Sequence, residues 1–167
     1  MRHIIAILLQ NEAGALTRVA GLFSTRGYNI ESLSVAATDD PTVSRITLVT
    51  KGSDAVIQQI VNQLHKLIDV VAADNMTSED HLERELALIK LKVRPAQRDA
   101  VRALVEKAGG RVLAEGGDCH IVEVASGEAA ITALAQQLAA QAELLEIVRS
   151  GALAMSRQAR ILHVVES

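Results

Sequence analysis

The chain has 167 residues, of which 49% are apolar, and a formal net charge of −3. This composition suffices for one domain or two small ones with a packed core. Basic residues are scattered and aromatic residues make up 1% of the chain, which excludes a basic, base-stacking interface for nucleic acid. No apolar run reaches the roughly 18 residues that span a bilayer, and the first residues do not resemble a secretory signal. We therefore expect a cytoplasmic protein without membrane contact.

The residues that carry metal or covalent chemistry are sparse and dispersed. Cys119 is the single cysteine, which excludes an internal disulfide, and the five histidines lie far apart without the spacing of zinc ligands. The sequence contains no phosphate-binding glycine loop and no nucleophile elbow. We therefore predict no metal site, no cofactor in this chain and no catalytic activity of the chain on its own.

The first half of the chain predicts six elements in the order strand, helix, strand, strand, helix, strand. An apolar strand at residues 4–9 precedes a helix with Leu16, Val19, Ala20 and Phe23 on one face. A hairpin follows over residues 28–50, and a second helix begins after Ser53 as its cap. The fourth strand is expected at residues 67–73. This order is typical of the ferredoxin-like βαββαβ fold, with the first and third strands in the centre.

The same order of elements is predicted again after a polar segment. A strand at residues 86–93, a helix beginning at Pro95, a hairpin around Gly116-Gly117 and a further helix precede a last strand at residues 144–155. We therefore predict an α+β protein of two tandem ferredoxin-like domains, residues 1–76 and 84–167, joined by a linker at residues 77–83. The tail from Ser156 to Ser167 mixes basic and apolar residues and is either frayed or docked on a partner.

The turn from Asn11 to Leu16 joins the first strand directly to the first helix. Backbone N–H groups at a helix start lack partners within the helix, and the helix dipole favours an anion there. Gly14 allows a tight turn and close approach of a ligand, while Asn11 can both donate and accept hydrogen bonds. An alternative is that Asn11 only caps the turn and Gly14 only relieves strain.

This fold is also compatible with a small phosphatase of the acylphosphatase type. Such enzymes hold phosphate in the loop after the first strand, but they require an arginine in that loop. Residues 11–15 contain none. Without a positive side chain, the turn suits a zwitterion whose carboxylate meets backbone N–H groups.

Three stretches of the chain resemble one known family. These are Asn11-Glu12-Ala13-Gly14-Ala15-Leu16, the later Arg26-Gly27-Tyr28-Asn29-Ile30-Glu31-Ser32-Leu33, and Thr38-Asp39-Asp40-Pro41 followed by Ser44-Arg45. They resemble the regulatory small subunit of acetolactate synthase, also called acetohydroxyacid synthase. Glu83-Arg84-Glu85 likewise resembles the opening of that family's C-terminal domain, and the first domain is then an ACT domain.

The resemblance implies a regulatory role in branched-chain amino-acid biosynthesis. A small subunit of this family activates the catalytic (large) subunit and confers feedback inhibition, typically by valine. Thiamine diphosphate, Mg²⁺ and usually FAD belong to the catalytic subunit. The effector lies between the ACT domains of a homodimer, and the matching positions here are Asn11, Gly14, Ala15, Leu16, Asn29 and Ile30. Surrounding positions are Thr17, Ser34, Ala36 and Gln59.

A freestanding ACT-type amino-acid sensor that regulates another enzyme or a transcription factor is the alternative function. A transcription regulator of this kind carries a helix-turn-helix or a basic surface. The sequence predicts neither, and the regulatory subunit is therefore the preferred interpretation.

Overall fold

The computed structural model describes residues 1–159 and Leu162. Within these residues the chain forms nine strands and four α-helices, grouped into two compact units. Residues 1–82 and the described residues from Ala152 onward form the first unit, and residues 83–151 form the second. No helix among the described residues is long and apolar enough to cross a membrane.

The first unit contains a four-stranded antiparallel sheet and two helices. The elements are β1 (Arg2–Gln10), α1 (Ala15–Thr25), β2 (Ile30–Ala37), β3 (Val43–Lys51), α2 (Asp54–Leu64) and β4 (Val70–Asn75). The strand order is β2-β3-β1-β4, so the first and third strands occupy the centre, as predicted. Ser53 caps α2 as predicted, because its side chain accepts a hydrogen bond from the Val56 N–H.

The alternation of side chains along β1 gives this sheet two buried faces. Ile5, Ile7 and Leu9 pack with both helices in the main core, around Phe23. Ile4 and Ala6 point to the opposite face, where they pack with Ala152 and Ala154. The outer face of the first sheet is therefore covered by a segment that lies some 150 residues further along the chain.

The second unit repeats the same order of elements. Its elements are β5 (His81–Lys92), which enters this unit at Glu83, a 3₁₀ turn (Pro95–Gln97), α3 (Arg98–Lys107), β6 (Arg111–Gly116), β7 (Cys119–Ser126), α4 (Glu128–Gln141) and β8 (Glu143–Arg149). The strand order is β6-β7-β5-β8, and a short strand β9 (Leu153–Ser156) follows in the part of the chain that belongs to the first unit. The predicted ferredoxin-like fold is confirmed in both halves.

The structure differs from the prediction at the end of the second half. The single strand predicted over residues 144–155 is two strands, because the chain turns between them at Gly151, whose φ is 80°. The small side chains of Ala152 and Ala154 then allow this segment to lie against the first sheet. Residues 152–159 thus belong to the first unit rather than to a domain spanning residues 84–167.

One further boundary shifts, and one prediction falls partly outside the described residues. The predicted linker at residues 77–83 is shorter in the structure, since β5 begins at His81. The tail predicted to be frayed or docked, residues 156–167, lies partly outside the described residues, which end at residue 159 apart from Leu162.

A pair of glycines in the second unit provides a test of its packing. A Cβ added at Gly110 would lie 2.7 Å from the Glu123 carbonyl oxygen and 3.2 Å from the Val105 side chain, whereas nothing lies within 4 Å of one added at Gly116. We expect Gly110→Ala to lower the free energy of unfolding by about 1–3 kcal/mol, and Gly116→Ala to lower it by less than about 0.5 kcal/mol. Urea denaturation followed by circular dichroism measures both, and equal effects would contradict the close approach at Gly110.

Candidate effector site

The turn after β1 is tied to the hairpin between β2 and β3. The Asn11 backbone N–H donates to the Thr42 carbonyl at 2.7 Å, and its side-chain Nδ2 donates to the Pro41 carbonyl at 2.9 Å. Asn11 does not cap α1, because the N-cap position of the helix is Gly14. The side chain of Asn11 instead fixes one turn against another, and its Oδ1 keeps its capacity to accept a hydrogen bond.

The turn at the start of α1 depends on a glycine. Gly14 adopts a left-handed conformation with φ 87°, which a residue with a Cβ tolerates poorly. No side chain caps the helix, and its first turn contains no acidic residue. The N–H groups at this helix start are therefore not neutralised by a side chain of the helix itself.

Arg18 places a positive charge beside this turn, which the sequence pattern did not indicate. Its Nη1 lies 3.1 Å from the position that a Cβ on Gly14 would occupy. The expectation that the turn has no positive side chain nearby is therefore wrong. Residues 11–15 contain no arginine, but a residue four positions after Gly14 lies one helical turn away and can reach back over it.

The guanidinium of Arg18 is held by a buried carboxylate. Nε and Nη2 of Arg18 both donate to the Asp69 carboxylate, with Nη2 to Oδ1 at 2.9 Å. The Asp69 side chain is only 6% exposed, whereas that of Arg18 is 48% exposed. The backbone carbonyl of Asp69 also accepts the Gln10 N–H at 2.8 Å, so one residue holds both Arg18 and the strand that leads into the turn.

This ion pair shifts the pKa of both partners. Hydrogen bonds from Arg18 lower the pKa of the Asp69 carboxyl, although burial acts in the opposite direction. The hydrogen bond to Asp69 in turn raises the pKa of Arg18. Both groups are therefore charged over the whole neutral pH range.

The predicted site residues near the turn differ in exposure. Ala15 is buried, whereas Leu16 is 37% exposed and Thr17 is also exposed on the first turn of α1. Leu16 therefore offers an apolar surface next to the helix start.

Asn29 and Ile30 lie at the other end of the sheet from the turn. Ile30 is opposite Thr50 on β3, and Thr50 is opposite His3 on β1. The Asn29 carbonyl accepts a hydrogen bond from the Thr50 hydroxyl at 2.6 Å. The turn instead follows Gln10, seven residues beyond His3, a separation of about 23 Å along a strand. One chain therefore does not bring the two halves of the predicted site together.

The remaining predicted positions lie on two elements of the first unit. Ser34 and Ala36 are on the edge strand β2, opposite Thr47 and Arg45, and Gln59 is exposed on α2. Among the described residues, no group of three or more histidine, cysteine or acidic side chains is arranged to hold a metal ion.

The Arg18–Asp69 pair predicts a specific pH dependence of stability. Because the pKa of Asp69 is lower in the folded state, its stabilising effect is present above its unfolded pKa of about 4 and is lost as the pH falls towards the folded value. We expect Asp69→Asn to lower the melting temperature at pH 7, and the difference from the wild type to shrink below about pH 4. Thermal melts from pH 7 to pH 3, with the exposed Asp39→Asn as control, measure this. A difference that stays constant with pH would contradict it.

Both halves of the chain match family models of known proteins. The family model for the AHAS small subunit-like ACT domain matches residues 5–72, and that for the small subunit of acetolactate synthase matches residues 84–158. The acetolactate synthase isozyme 3 small subunit of Escherichia coli is 42% identical over 97% of this chain and 99% of its own length. A probable acetolactate synthase small subunit of Archaeoglobus fulgidus is 40% identical over 94% and 98%.

A solved structure extends the agreement from sequence to fold. The crystal structure of the acetolactate synthase small subunit from Thermotoga maritima superposes with a TM-score of 0.86 at 31% identity, covering 96% of this chain and 99% of its own. The chain belongs to the family of small, regulatory subunits of acetolactate synthase.

Proposed function

We propose that this chain binds the catalytic subunit of acetolactate synthase in the cytoplasm, activates it and confers feedback inhibition by valine. The observation that carries the proposal is the uncapped start of α1 at Gly14, which lies inside the matched ACT domain. Thiamine diphosphate, Mg²⁺ and FAD then belong to the catalytic subunit. A freestanding sensor is not supported, because the family match includes the second half of the chain as well.

The chemistry of the turn supports an amino acid as the effector. Backbone N–H groups at the start of α1 suit the carboxylate. Oδ1 of Asn11 and the side chain of Asn29 suit the ammonium group. The apolar side chains of Leu16 and Ile30 suit a branched aliphatic side chain such as that of valine.

A homodimer would bring together the two halves of the predicted site, which lie at opposite ends of the sheet within one chain. β2 is an edge strand, and Val35, Ala36 and Ala37 on it are exposed. Unpaired edges of this kind readily accept a second strand. Antiparallel pairing of two β2 edges would place the Ile30 end of one chain beside the Ala37 end of the other. The Ala37 end leads into the hairpin turn that Asn11 binds through Pro41.

A site shared between two chains provides a route to inhibition. Valine then favours the dimer geometry in which both halves of the site fit it. This preference passes to the catalytic subunit only if the two geometries bind valine with different affinities, and the coupling free energy in such systems is typically about 1–3 kcal/mol.

Substitution of Gly14 tests the position of the effector carboxylate. We expect Gly14→Asp to abolish valine inhibition of the reconstituted enzyme, because the new carboxylate would occupy the anion position next to Arg18. Activation by the small subunit is expected to persist. Steady-state assays with and without valine measure both effects. Gly21→Asp adds the same charge within α1, where nothing lies within 4 Å of a new Cβ, and should retain inhibition. Concurrent loss of activation in Gly14→Asp would count against separate surfaces for the two effects.

Complementation between chains tests the shared site directly. We expect Asn11→Ala and Asn29→Ala each to weaken valine binding when present in both chains. A heterodimer of the two variants, purified through two different tags, would regain one of its two sites at wild-type affinity, because the unaltered residues meet across the twofold axis. Calorimetric titration with valine measures this. A heterodimer without a wild-type site would show that both asparagines act from the same chain.

A further inference from the structure

The guanidinium of Arg18 has more hydrogen-bonding capacity than its ion pair uses. Arginine carries five N–H donors in a planar fork. Asp69 binds the side formed by Nε and Nη2. Both N–H groups of Nη1 and one of Nη2 remain, and these two atoms form the end of the fork that binds carboxylates in a bidentate manner. No residue in the described part of the chain is recorded as an acceptor for Nη1.

The unused end of the guanidinium is the part nearest the helix start. Around the Cβ position of Gly14, Nη1 lies at 3.1 Å, Cζ at 3.8 Å and Nη2 at 4.0 Å. A glycine at this position leaves that approach free of a side chain. Since the Arg18 side chain is 48% exposed, a ligand at the turn can reach the same atoms.

We propose that Arg18 is a specificity-determining residue of the effector site, in which Nη1 and Nη2 donate to the effector carboxylate while buried Asp69 fixes the guanidinium plane. This inference rests on the effector function proposed above and names the side chain that recognises the anionic group. Asp69 is then a positioning residue that acts through Arg18. Backbone N–H groups and Arg18 together make the site selective for a carboxylate over a neutral group of the same shape.

Two features distinguish this role from a purely structural ion pair. A structural pair is complete with the two hydrogen bonds to Asp69 and makes no use of Nη1. Glu12 is a second acidic residue close enough to raise the pKa of Arg18, but it is exposed on the turn and is not recorded as a hydrogen-bond partner of the guanidinium. The end of the fork is thus held in place next to Gly14 by a buried carboxylate, on a side chain that is half exposed.

The test compares the affinities of two ligands, with and without a carboxylate, in the wild type and in variants of Arg18. L-valine and L-valinamide differ in the carboxylate, and their affinities for the full chain are measured by calorimetry. In the wild type we expect valine to bind more tightly. In Arg18→Gln/Asp69→Asn, which removes both charges and so leaves no unpaired buried carboxylate, we expect the ratio of the two affinities to fall by about 10- to 100-fold, as for loss of a charge-assisted hydrogen bond. The exposed Arg26→Gln at the end of α1 should keep the wild-type ratio.

The outcomes separate this inference from the function on which it rests. A folded double variant whose affinities for valine and valinamide fall by the same factor, or do not change, would overturn the role of Arg18. Either result would leave the proposal that the wild type binds valine unaffected. If the double variant does not fold, Arg18→Lys keeps the charge but lacks the fork, and an unchanged ratio in that variant would overturn the inference. Absence of valine binding by the wild type, alone and with the catalytic subunit, would contradict the effector function itself.

Discussion

Asp69 connects three parts of the first unit that are remote in sequence. Its backbone carbonyl accepts the Gln10 N–H at the end of β1, and its carboxylate holds Arg18 on α1, while the residue itself immediately precedes β4. A buried carboxylate without a partner is strongly unfavourable, so the packing around Asp69 requires Arg18 to stay in this place. The position of the guanidinium next to Gly14 is therefore a consequence of burial elsewhere, and the helix start is organised before any ligand arrives.

The first sheet imposes a second constraint on function. Central strands nine residues long separate the turn after β1 from the Asn29–Ile30 segment. A ligand the size of an amino acid cannot bridge that length, and the two segments therefore share a ligand only across a pair of chains. If one effector contacts both segments, as proposed above, its binding and the arrangement of the subunits are parts of one equilibrium, which is the condition under which a small molecule can regulate a distant enzyme.

Local patterns in the sequence were sufficient to predict most of the fold. Periodicity placed both helices and the hairpin of the first unit, and the rules for crossover connections placed β1 and β3 at the centre of the sheet. Arg18 was missed because its role depends on Asp69, 51 residues away, and sequence spacing does not reveal such a pair. The return of the chain at Gly151 was missed because the segment after it reads as a continuation of the strand, and only contact with Ile4 and Ala6 distinguishes it. The chemistry of the turn indicated Asn11 and Gly14, whereas Asn29 and Ile30, at the other end of the sheet, follow only from the family resemblance.

The segment from Ala152 onward also changes how the chain can be divided. Since it packs on the outer face of the first sheet, the second unit is an insertion within the first, whose folded surface needs both ends of the sequence. A fragment that stops at residue 82 would leave Ile4, Val49 and Met76 uncovered, and contiguous exposed apolar surface of this kind favours aggregation. The first unit is thus a discontinuous domain, and an autonomous version of it would need residues 1–82 joined to the segment that begins at Ala152.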